Sequence, residues 1–229
     1  MYDNIYEIRR YLFKRAKELG FSDMKSKIWV YYMLDTKRGQ YFLKKIRSMY
    51  DSAIVLDLGC GYGSTTEAVS KEFDMVSMDI RYDRAYVTKM RSDSMCICAD
   101  GVYTPFKNDS FDVIIASDIL EHVSRVEQVK MCNEMYRIVR KGGSVVVKVP
   151  NRLQLFDNHN DFLIFVAMFP DKWRRRFLEK FGRSEYCDVR AYTLFGWMDL
   201  FRDAKFKVSS NLQNCLLLRQ NFEFTMEKC

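Results

Sequence analysis

The run VLDLGCGYGS at residues 55–64 decides the fold, because an apolar stretch with one acid breaks there into three alternating glycines. Residues 53–58 are too short and too uniformly apolar for an amphipathic helix, which predicts a strand buried on both faces, as in a parallel sheet. Ser64 and Glu67 have the spacing of a capping box, so a helix should begin directly after Gly63. The predicted order of strand, glycine loop and helix lets backbone approach a ligand, since glycine lacks a Cβ atom and free N–H groups collect at a helix start.

The glycine spacing separates two classes of cofactor. Nicotinamide and flavin sites favour G-x-G-x-x-G, whereas this chain has G-x-G-x-G with an acid two residues before the first glycine. The pattern resembles the first motif of class I S-adenosylmethionine-dependent methyltransferases and disfavours a nicotinamide dehydrogenase. In that family the loop holds the methionyl part of the cofactor and the acid lies near its amino group. The resemblance therefore implies cofactor-binding roles for Asp57, Gly59, Cys60, Gly61 and Gly63. An ordinary tight turn in an α/β protein is the alternative.

Beyond the loop the chain alternates short apolar runs with helical patterns. Further strands are predicted at 74–79, 95–99, 111–117 and 144–149, and helices at 81–91 and 129–139, the second of them ended by Gly142 and Gly143. Such alternation implies right-handed crossovers and a doubly wound, mainly parallel sheet. The methyltransferase resemblance implies seven strands in a Rossmann-like fold, with a last helix at 193–202 and an antiparallel closing pair at 206–211 and 215–225.

Four acids fall where predicted strands end: Asp57, Asp79, Asp100 and Asp118. Ligands of parallel sheets bind at the carboxyl ends of the strands, so these acids should converge on the glycine loop. Asp79 is placed to accept hydrogen bonds from two ribose hydroxyls. The adenine edge would meet Asp100 and Gly101, and its ring would lie between Met78 and Ile80. A single acid at a strand end is also an ordinary helix cap.

A second block of sequence extends the resemblance. Residues 110–112 and 118–123 resemble the fourth methyltransferase motif, in the small-molecule group often called type 11. The resemblance covers about residues 53–150 and implies S-adenosylmethionine as the cofactor, with Ser117 and Asp118 added to its site.

The chain has two histidines, and histidine is the side chain best suited to take a proton at neutral pH. His122 follows the fourth predicted strand, four residues after Asp118, and should project over the transferred methyl group. His159 lies beyond the fifth strand, where Asp157 or Asp161 would orient it. Both are candidate catalytic residues, and a hydrogen-bonded structural role is the alternative for each.

The net charge of +7 is concentrated at the N-terminus. Residues 1–50 contain 12 Lys and Arg against 5 Asp and Glu, whereas residues 51–229 contain 25 of each kind. Helices are predicted there over 5–19, 23–34 and 37–50, with tyrosines among the charges. This cap could bind nucleic acid, cover a substrate as a lid, or be a solvated face whose aromatics cap the core.

The composition, 48% hydrophobic and 29% charged, is that of a globular protein. No run approaches the roughly 18 apolar residues of a membrane span, so stable membrane insertion is not expected. Seven cysteines without a C-x-x-C pair predict neither a disulfide framework nor a metal site, and they favour the cytoplasm. Cys96 and Cys98 are interpreted as small core residues.

We therefore predict one methyltransferase domain over residues 1–229, with a helical cap (1–50), a cofactor-binding core (51–150), a helical insertion (151–190) and a final helix with closing strands (191–229). The predicted reaction transfers a methyl group from S-adenosylmethionine to an oxygen or nitrogen of a small-molecule or lipid-like substrate. Two alternatives stay open: an RNA-modifying methyltransferase that uses the basic N-terminal helices, and a cofactor-binding regulatory or partner subunit without activity. The sequence does not indicate an oligomeric state.

Overall fold

The structure is a computed structural model, and the residues that it describes are 2–18, 20, 22, 23, 26, 30, 36–92, 94–152, 173, 176, 180, 190–210 and 221–229. The chain divides into two compact units, residues 1–101 and 102–229. The predicted helix at 23–34 and the predicted insertion at 151–190 lie mostly outside the described residues, and His159 lies wholly outside them. The single domain predicted over the whole chain stays a prediction.

The first unit combines parallel strands with helices. Its helices are α1 (Tyr2–Glu18), α2 (Lys37–Arg47), α3 (Ser64–Val69) and α4 (Tyr82–Arg91). Its strands are β1 (Ile54–Leu58), β2 (Asp74–Asp79) and β3 (Met95–Cys98), in the order β3-β2-β1. Leu58 pairs with Met78 and Asp79 pairs with Cys98, so the carboxyl ends of the three strands lie at one edge.

The second unit continues the alternation and then closes with antiparallel strands. Its strands are β4 (Phe111–Ser117), β5 (Val139–Pro150), β6 (Lys207–Ser210) and β7 (Asn221–Glu227), in the order β4-β5-β7-β6. Its helices are a short 3-10 turn (Leu120–His122), α5 (Arg125–Ile138) and α6 (Leu194–Asp203). Strands β4 and β5 are parallel, whereas β7 is antiparallel to both β5 and β6.

These pairings confirm the predicted α/β fold. Among the described residues the chain has seven strands, and β1 with β2, β2 with β3, and β4 with β5 are parallel pairs. The apolar runs are buried as expected: the four residues from Val113 to Ala116 in the middle of β4 have no solvent exposure. The predicted antiparallel closing pair is also confirmed.

The core of the second unit is built on aromatic side chains of α6 and β7. Trp197 and Phe201 stack with ring centroids 6.1 Å apart, and Phe201 meets Phe224 edge-on at 5.1 Å. All three side chains are fully buried. The indole N–H of Trp197 donates to the carbonyl of Pro150 at 3.1 Å, which satisfies a buried polar group and ties α6 to the end of β5.

The predicted capping box at the start of α3 is wrong. Gly63, in a left-handed conformation, is the N-cap, and it has no side-chain cap bond, while Ser64 is already the first helical residue. The carboxylate of Glu67 instead accepts a hydrogen bond from Arg91 of α4 at 2.8 Å. Glu67 therefore forms a tertiary hydrogen bond with Arg91 in place of the cap hydrogen bond that the local sequence predicted.

The fifth strand begins earlier than predicted. It starts at Val139, which pairs with Phe111, rather than at Ser144, and the register shifts between Phe111 and Val113. Gly142, with φ of 75°, lies in this irregular part of the ladder. The glycines predicted to end the preceding helix therefore belong to a bulged strand, because a bulge absorbs the extra residues that a regular ladder could not.

The structure confirms the helix predicted at the N-terminus and contradicts the core role predicted for the cysteines of β3. Helix α1 is confirmed, with Ile8, Leu12 and Ala16 buried on one face. Cys96 and Cys98 are not core residues, because β3 lies at the edge of the strand order. The side chain of Cys96 is partly exposed, and that of Cys98 is exposed. No described helix is long and apolar enough to cross a membrane.

Candidate functional site

The glycine loop follows β1 and is fixed to the end of β2. Gly59, Gly61 and Gly63 have φ values of 77°, 55° and 81°. The N–H groups of Gly59 and Cys60 donate to the carbonyl of Met78 at 2.8 and 3.0 Å. We expected free N–H groups for a ligand. That expectation applied to the helix start, and it does not extend to Gly59 and Cys60, whose N–H groups anchor the loop.

The second and third glycines serve different purposes. A Cβ atom at Gly63 would lie 2.9 to 3.1 Å from atoms of Thr88 in α4, whereas one at Gly61 would meet nothing within 4 Å. Gly63 thus permits close packing of the loop on α4, and Gly61 leaves an open face that a ligand can approach. The buried hydroxyl of Thr88 donates to the carbonyl of Gly61 at 3.0 Å. Sequence analysis missed Thr88, because no local pattern marks it.

Asp79 is held in place by backbone donors. Its two carboxylate oxygens accept hydrogen bonds from the N–H of Arg81 at 2.9 Å and from the N–H of Gly61 at 3.0 Å. The residue is only 4% exposed. A carboxylate has about four acceptor positions, and two hydrogen bonds leave room for the pair of hydroxyls that a ribose presents. In these respects Asp79 fits the predicted ribose site.

Asp57 lies in the body of β1 rather than past its end. Its carboxylate is 3% exposed and accepts a hydrogen bond from Thr66 of α3 at 2.7 Å. Burial raises the pKa of Asp57 to about 6, although the Thr66 hydroxyl and the nearby charge of Arg38 lower it. The group is therefore ionised at neutral pH, as recognition of an ammonium group requires. Sequence analysis did not identify Thr66 or Arg38.

The adenine prediction is partly wrong. Met78 is 1% exposed within the sheet and has no surface to offer a ring, whereas Ile80 is 66% exposed. Asp100 is exposed, and the N–H of Ala99 donates to the carbonyl of Asp79 at 3.1 Å, which brings the turn after β3 next to the end of β2. Gly101, at the end of this turn, is half-buried. The side chain of Ile80 and the turn after β3 are therefore available for an adenine ring.

Cys60 lies in the loop as predicted, but its side chain is nearly buried. Burial raises the pKa of the Cys60 thiol, and the neighbouring Asp57 acts in the same direction. The side chain is therefore a neutral thiol that packs against Thr88, at an Sγ to Oγ1 distance of 3.6 Å. In the described part of the chain no group of His, Cys, Asp or Glu side chains could hold a metal ion.

The second unit contains the predicted residues Ser117, Asp118 and His122. Asp118, with φ of 54°, follows β4, and its N–H donates to the carbonyl of Lys148 at 2.9 Å. The Ser117 hydroxyl lies 3.1 Å from the Asp118 carboxylate. These bonds fix the turn that leads from β4 to the candidate base.

His122 ends the short 3-10 helix, and its side chain is 58% exposed. Its Nε2 lies 4.0 Å from the carboxylate of Glu121, which is buried. The amide of Gln128 in α5 donates to the carbonyl of Leu120 at 2.8 Å, and the hydroxyl of Tyr192 donates to Gln128 at 3.0 Å. The hydrogen bond from Gln128 therefore anchors the turn, and the imidazole of His122 remains accessible to a substrate.

Comparison with known proteins assigns this arrangement to a family. Residues 56–147 match the methyltransferase domain of the type 11 group. This segment is therefore similar to the methyltransferase domains of that group. It contains the glycine loop, Asp79, Asp100 and His122, and the match confirms the resemblance found in the sequence.

Three curated relatives place the domain among proteins of different kinds. Over 125 residues the chain is 34% identical to an uncharacterized protein of Methanocaldococcus jannaschii, covering 54% of this chain and 52% of that one. It is 26% identical over 130 residues to probable tRNA methyltransferase 9B of Homo sapiens, covering 56% and 26%. It is 23% identical over 185 residues to the ubiquinone biosynthesis O-methyltransferase of Yersinia pestis, covering 77% and 72%. Of the first two relatives the chain spans about half the length or less.

A solved structure supports the same fold over nearly the whole chain. A SAM-dependent methyltransferase from Thermotoga maritima aligns with a TM-score of 0.60 at 15% identity, covering 97% of this chain and 100% of that one. The solved structure supports the fold, and the family match supports S-adenosylmethionine as the cofactor.

Proposed function

We propose that the protein is a methyltransferase that transfers a methyl group from S-adenosylmethionine to an oxygen or nitrogen of a small-molecule or lipid-like substrate. The proposal depends chiefly on Asp79, whose carboxylate is fixed by backbone N–H groups of Gly61 and Arg81 beside the open face of Gly61. A fixed carboxylate at the end of the second strand suits a ribose. The similarity to a ubiquinone biosynthesis O-methyltransferase supports a small-molecule substrate.

In this proposal the residues of the chain bind and orient, while the bound cofactor supplies an electrophilic methyl group. Asp79 would hold the ribose, Asp57 would face the ammonium group, and Ile80 would cover one face of the adenine. Positioning of this kind accounts for much of the rate of a displacement reaction. The accessible imidazole of His122 would accept the proton of the nucleophile. His159 stays a second candidate for that role.

The test is transfer of a labelled methyl group to cell extract separated into small molecules, lipids and RNA. Label in the small-molecule or lipid fraction, lost in an Asp79→Asn variant that still folds, is the expected result. Label in RNA alone would replace this proposal with the second candidate below. Binding of S-adenosylhomocysteine without labelling of any fraction would instead favour a partner subunit without activity.

The second candidate, an RNA substrate, is favoured by helix α2. Its 11 residues, KRGQYFLKKIR, include five basic residues and no acid. Lys37, Tyr41 and Lys44 fall on one exposed face, and the tyrosine is 49% exposed. Basic side chains around an exposed aromatic ring suit both phosphates and bases. The similarity to a probable tRNA methyltransferase points the same way. RNA binding that falls steeply with salt, and weakens in Lys44→Glu, would support this candidate.

We also propose a cytoplasmic location. It is supported by the free thiols of Cys60, Cys96, Cys98, Cys132 and Cys229, which suit a reducing compartment. Fractionation of cells that produce the tagged protein tests this, and recovery with membranes or in a secreted fraction would contradict it.

A further inference from the structure

The start of α4 connects the ribose carboxylate to a second acid. The backbone N–H of Arg81 donates to Asp79 at 2.9 Å, and the guanidinium of the same residue donates to Asp83 through Nε at 3.0 Å and Nη2 at 2.8 Å. Two parallel bonds between a guanidinium and a carboxylate hold both groups in one plane. Because both sets of bonds belong to Arg81, its backbone and its side chain are restrained together, and so is the N–H that orients Asp79.

Asp83 is well suited to this task because it is charged. The hydrogen bond from Arg81 lowers the pKa of the Asp83 carboxyl, which partial burial only partly offsets. The residue also lies in the first turn of α4, where a negative charge interacts favourably with the helix dipole. Hydrogen bonds link Asp83 to Asp79 through Arg81, and Arg84 is a second charged neighbour of both acids, with its Nη1 4.0 Å from the Asp79 carboxylate.

Helix α1 reaches the same acid. The hydroxyl of Tyr11 donates to the Asp83 carboxylate at 3.4 Å. Burial and the charge of Asp83 both raise the pKa of Tyr11, so the phenol stays protonated and remains a donor. This bond joins the N-terminal helix to the residue that holds Arg81.

Helix α1 also packs on the glycine loop. Ile8 and Leu12 belong to a buried cluster with Tyr62 of the loop and Val87 of α4. The apolar face of α1 therefore contacts the loop, while Tyr11 contacts the acid beside Asp79. Two separate sets of contacts lead from one helix to the two parts of the candidate cofactor site.

We propose that Asp83 is a positioning residue that orients Asp79 through Arg81, and that docking of α1 through Tyr11 and its apolar face sets the affinity for S-adenosylmethionine. The proposal rests on the proposed function, since it assigns regulation of the same cofactor site. Linkage makes the effect reciprocal: a ligand that binds the oriented site must also strengthen the docking of α1. The N-terminal helix would then act on the cofactor site through its contacts with Tyr62, Val87 and Asp83.

The test uses the full chain, with S-adenosylhomocysteine as the probe. Asp83→Asn removes the charge but keeps the shape, and it should weaken binding measured by calorimetry by about tenfold. Tyr11→Phe removes one long hydrogen bond and should weaken binding by about threefold. Glu72→Gln is the matched control, because it breaks an exposed ion pair with Arg47 in the same unit and should leave the affinity unchanged.

Two readouts separate positioning from a purely structural role. In the double variant, Tyr11→Phe should add little to Asp83→Asn, because both act through one carboxylate. Hydrogen exchange of residues 2–18 should slow when the parent binds the probe, and this protection should be smaller in Asp83→Asn.

The outcomes distinguish this proposal from the proposed function. Parent-like affinity in Asp83→Asn would overturn the proposal while leaving the cofactor site in place. The same conclusion would follow if the losses of affinity in the double variant were additive and hydrogen exchange in α1 did not change when the probe bound. Failure of the parent itself to bind the probe would overturn the proposed function, and this proposal with it.

Discussion

An alanine at Gly61 should weaken cofactor binding while the fold survives. The residue has φ of 55°, and a Cβ atom there would meet no atom within 4 Å, so the substitution introduces backbone strain without a clash inside the protein. An L-residue in the left-handed region costs about 1–2 kcal/mol. In a chain of this size that lowers the melting temperature by about 2–8 °C. The new methyl group would occupy the open face expected to receive the methionyl part of the cofactor, and affinity should fall by at least about tenfold.

Gly142 provides a matched control. It has φ of 75°, and a Cβ atom there would also meet nothing within 4 Å, but it lies in the bulged part of β5 in the second unit. Gly142→Ala should therefore lower the melting temperature by a similar amount and leave cofactor affinity unchanged. Thermal denaturation and calorimetry with S-adenosylhomocysteine measure the two quantities on the parent and both variants. Equal affinity in the two variants would refute the argument that a ligand approaches Gly61.

Four further predictions follow from the site. Asp79→Asn should weaken cofactor binding by at least about tenfold. Asp79→Ala should lower the melting temperature more than Asp79→Asn does, because asparagine keeps one acceptor oxygen for the two backbone N–H groups while alanine keeps none, and each N–H left unpaired costs about 1–3 kcal/mol; equal stability of the two variants would contradict this. Since the pKa of Asp57 is raised to about 6, affinity measured by calorimetry should be full at pH 7 and fall as the pH drops through 6, and Asp57→Asn should remove that dependence. Gly39→Ala should lower the free energy of unfolding by about 1–3 kcal/mol, because its Cβ atom would lie 2.2 Å from the Ser64 carbonyl oxygen; unchanged denaturant unfolding would show that α2 can shift. His122→Ala should lower turnover by roughly 10² with cofactor affinity within a few fold, once a substrate is known, and parent-like turnover would exclude His122 as the base.

The features that sequence predicted well are those set by local pattern. Short apolar runs separated by helical periodicity gave the strand and helix order, because strands of a parallel sheet are buried on both faces. The G-x-G-x-G loop and the acid ending β2 came together as expected, with Gly61 bonded to Asp79. The positions of these elements depend on residues that are close in sequence, or on the edge of the sheet where parallel strands end. Both kinds of information can be deduced from a single sequence.

The features that sequence missed depend on partners far along the chain. Glu67 fits a capping box locally, but Arg91 is 24 residues away and binds it instead. Cys96 and Cys98 have the apolar character of core residues, but strand order places β3 at an edge. Thr88 is 27 residues from the glycine carbonyl that it holds. No spacing rule connects such pairs, because helix packing and strand order decide them.

The hydrogen bonds of Gly61 have a consequence for the thermodynamics of binding. Asp79 holds the N–H of Gly61 and Thr88 holds its carbonyl, each at 3.0 Å, so the peptide groups on both sides of the glycine are prevented from rotating. Glycine is otherwise the residue with the greatest backbone freedom. The loop is therefore preorganised, and a ligand that binds there does not have to order it. The conformational entropy lost on binding should accordingly come from the ligand rather than from the loop, which is how a small cofactor can be held tightly by few contacts.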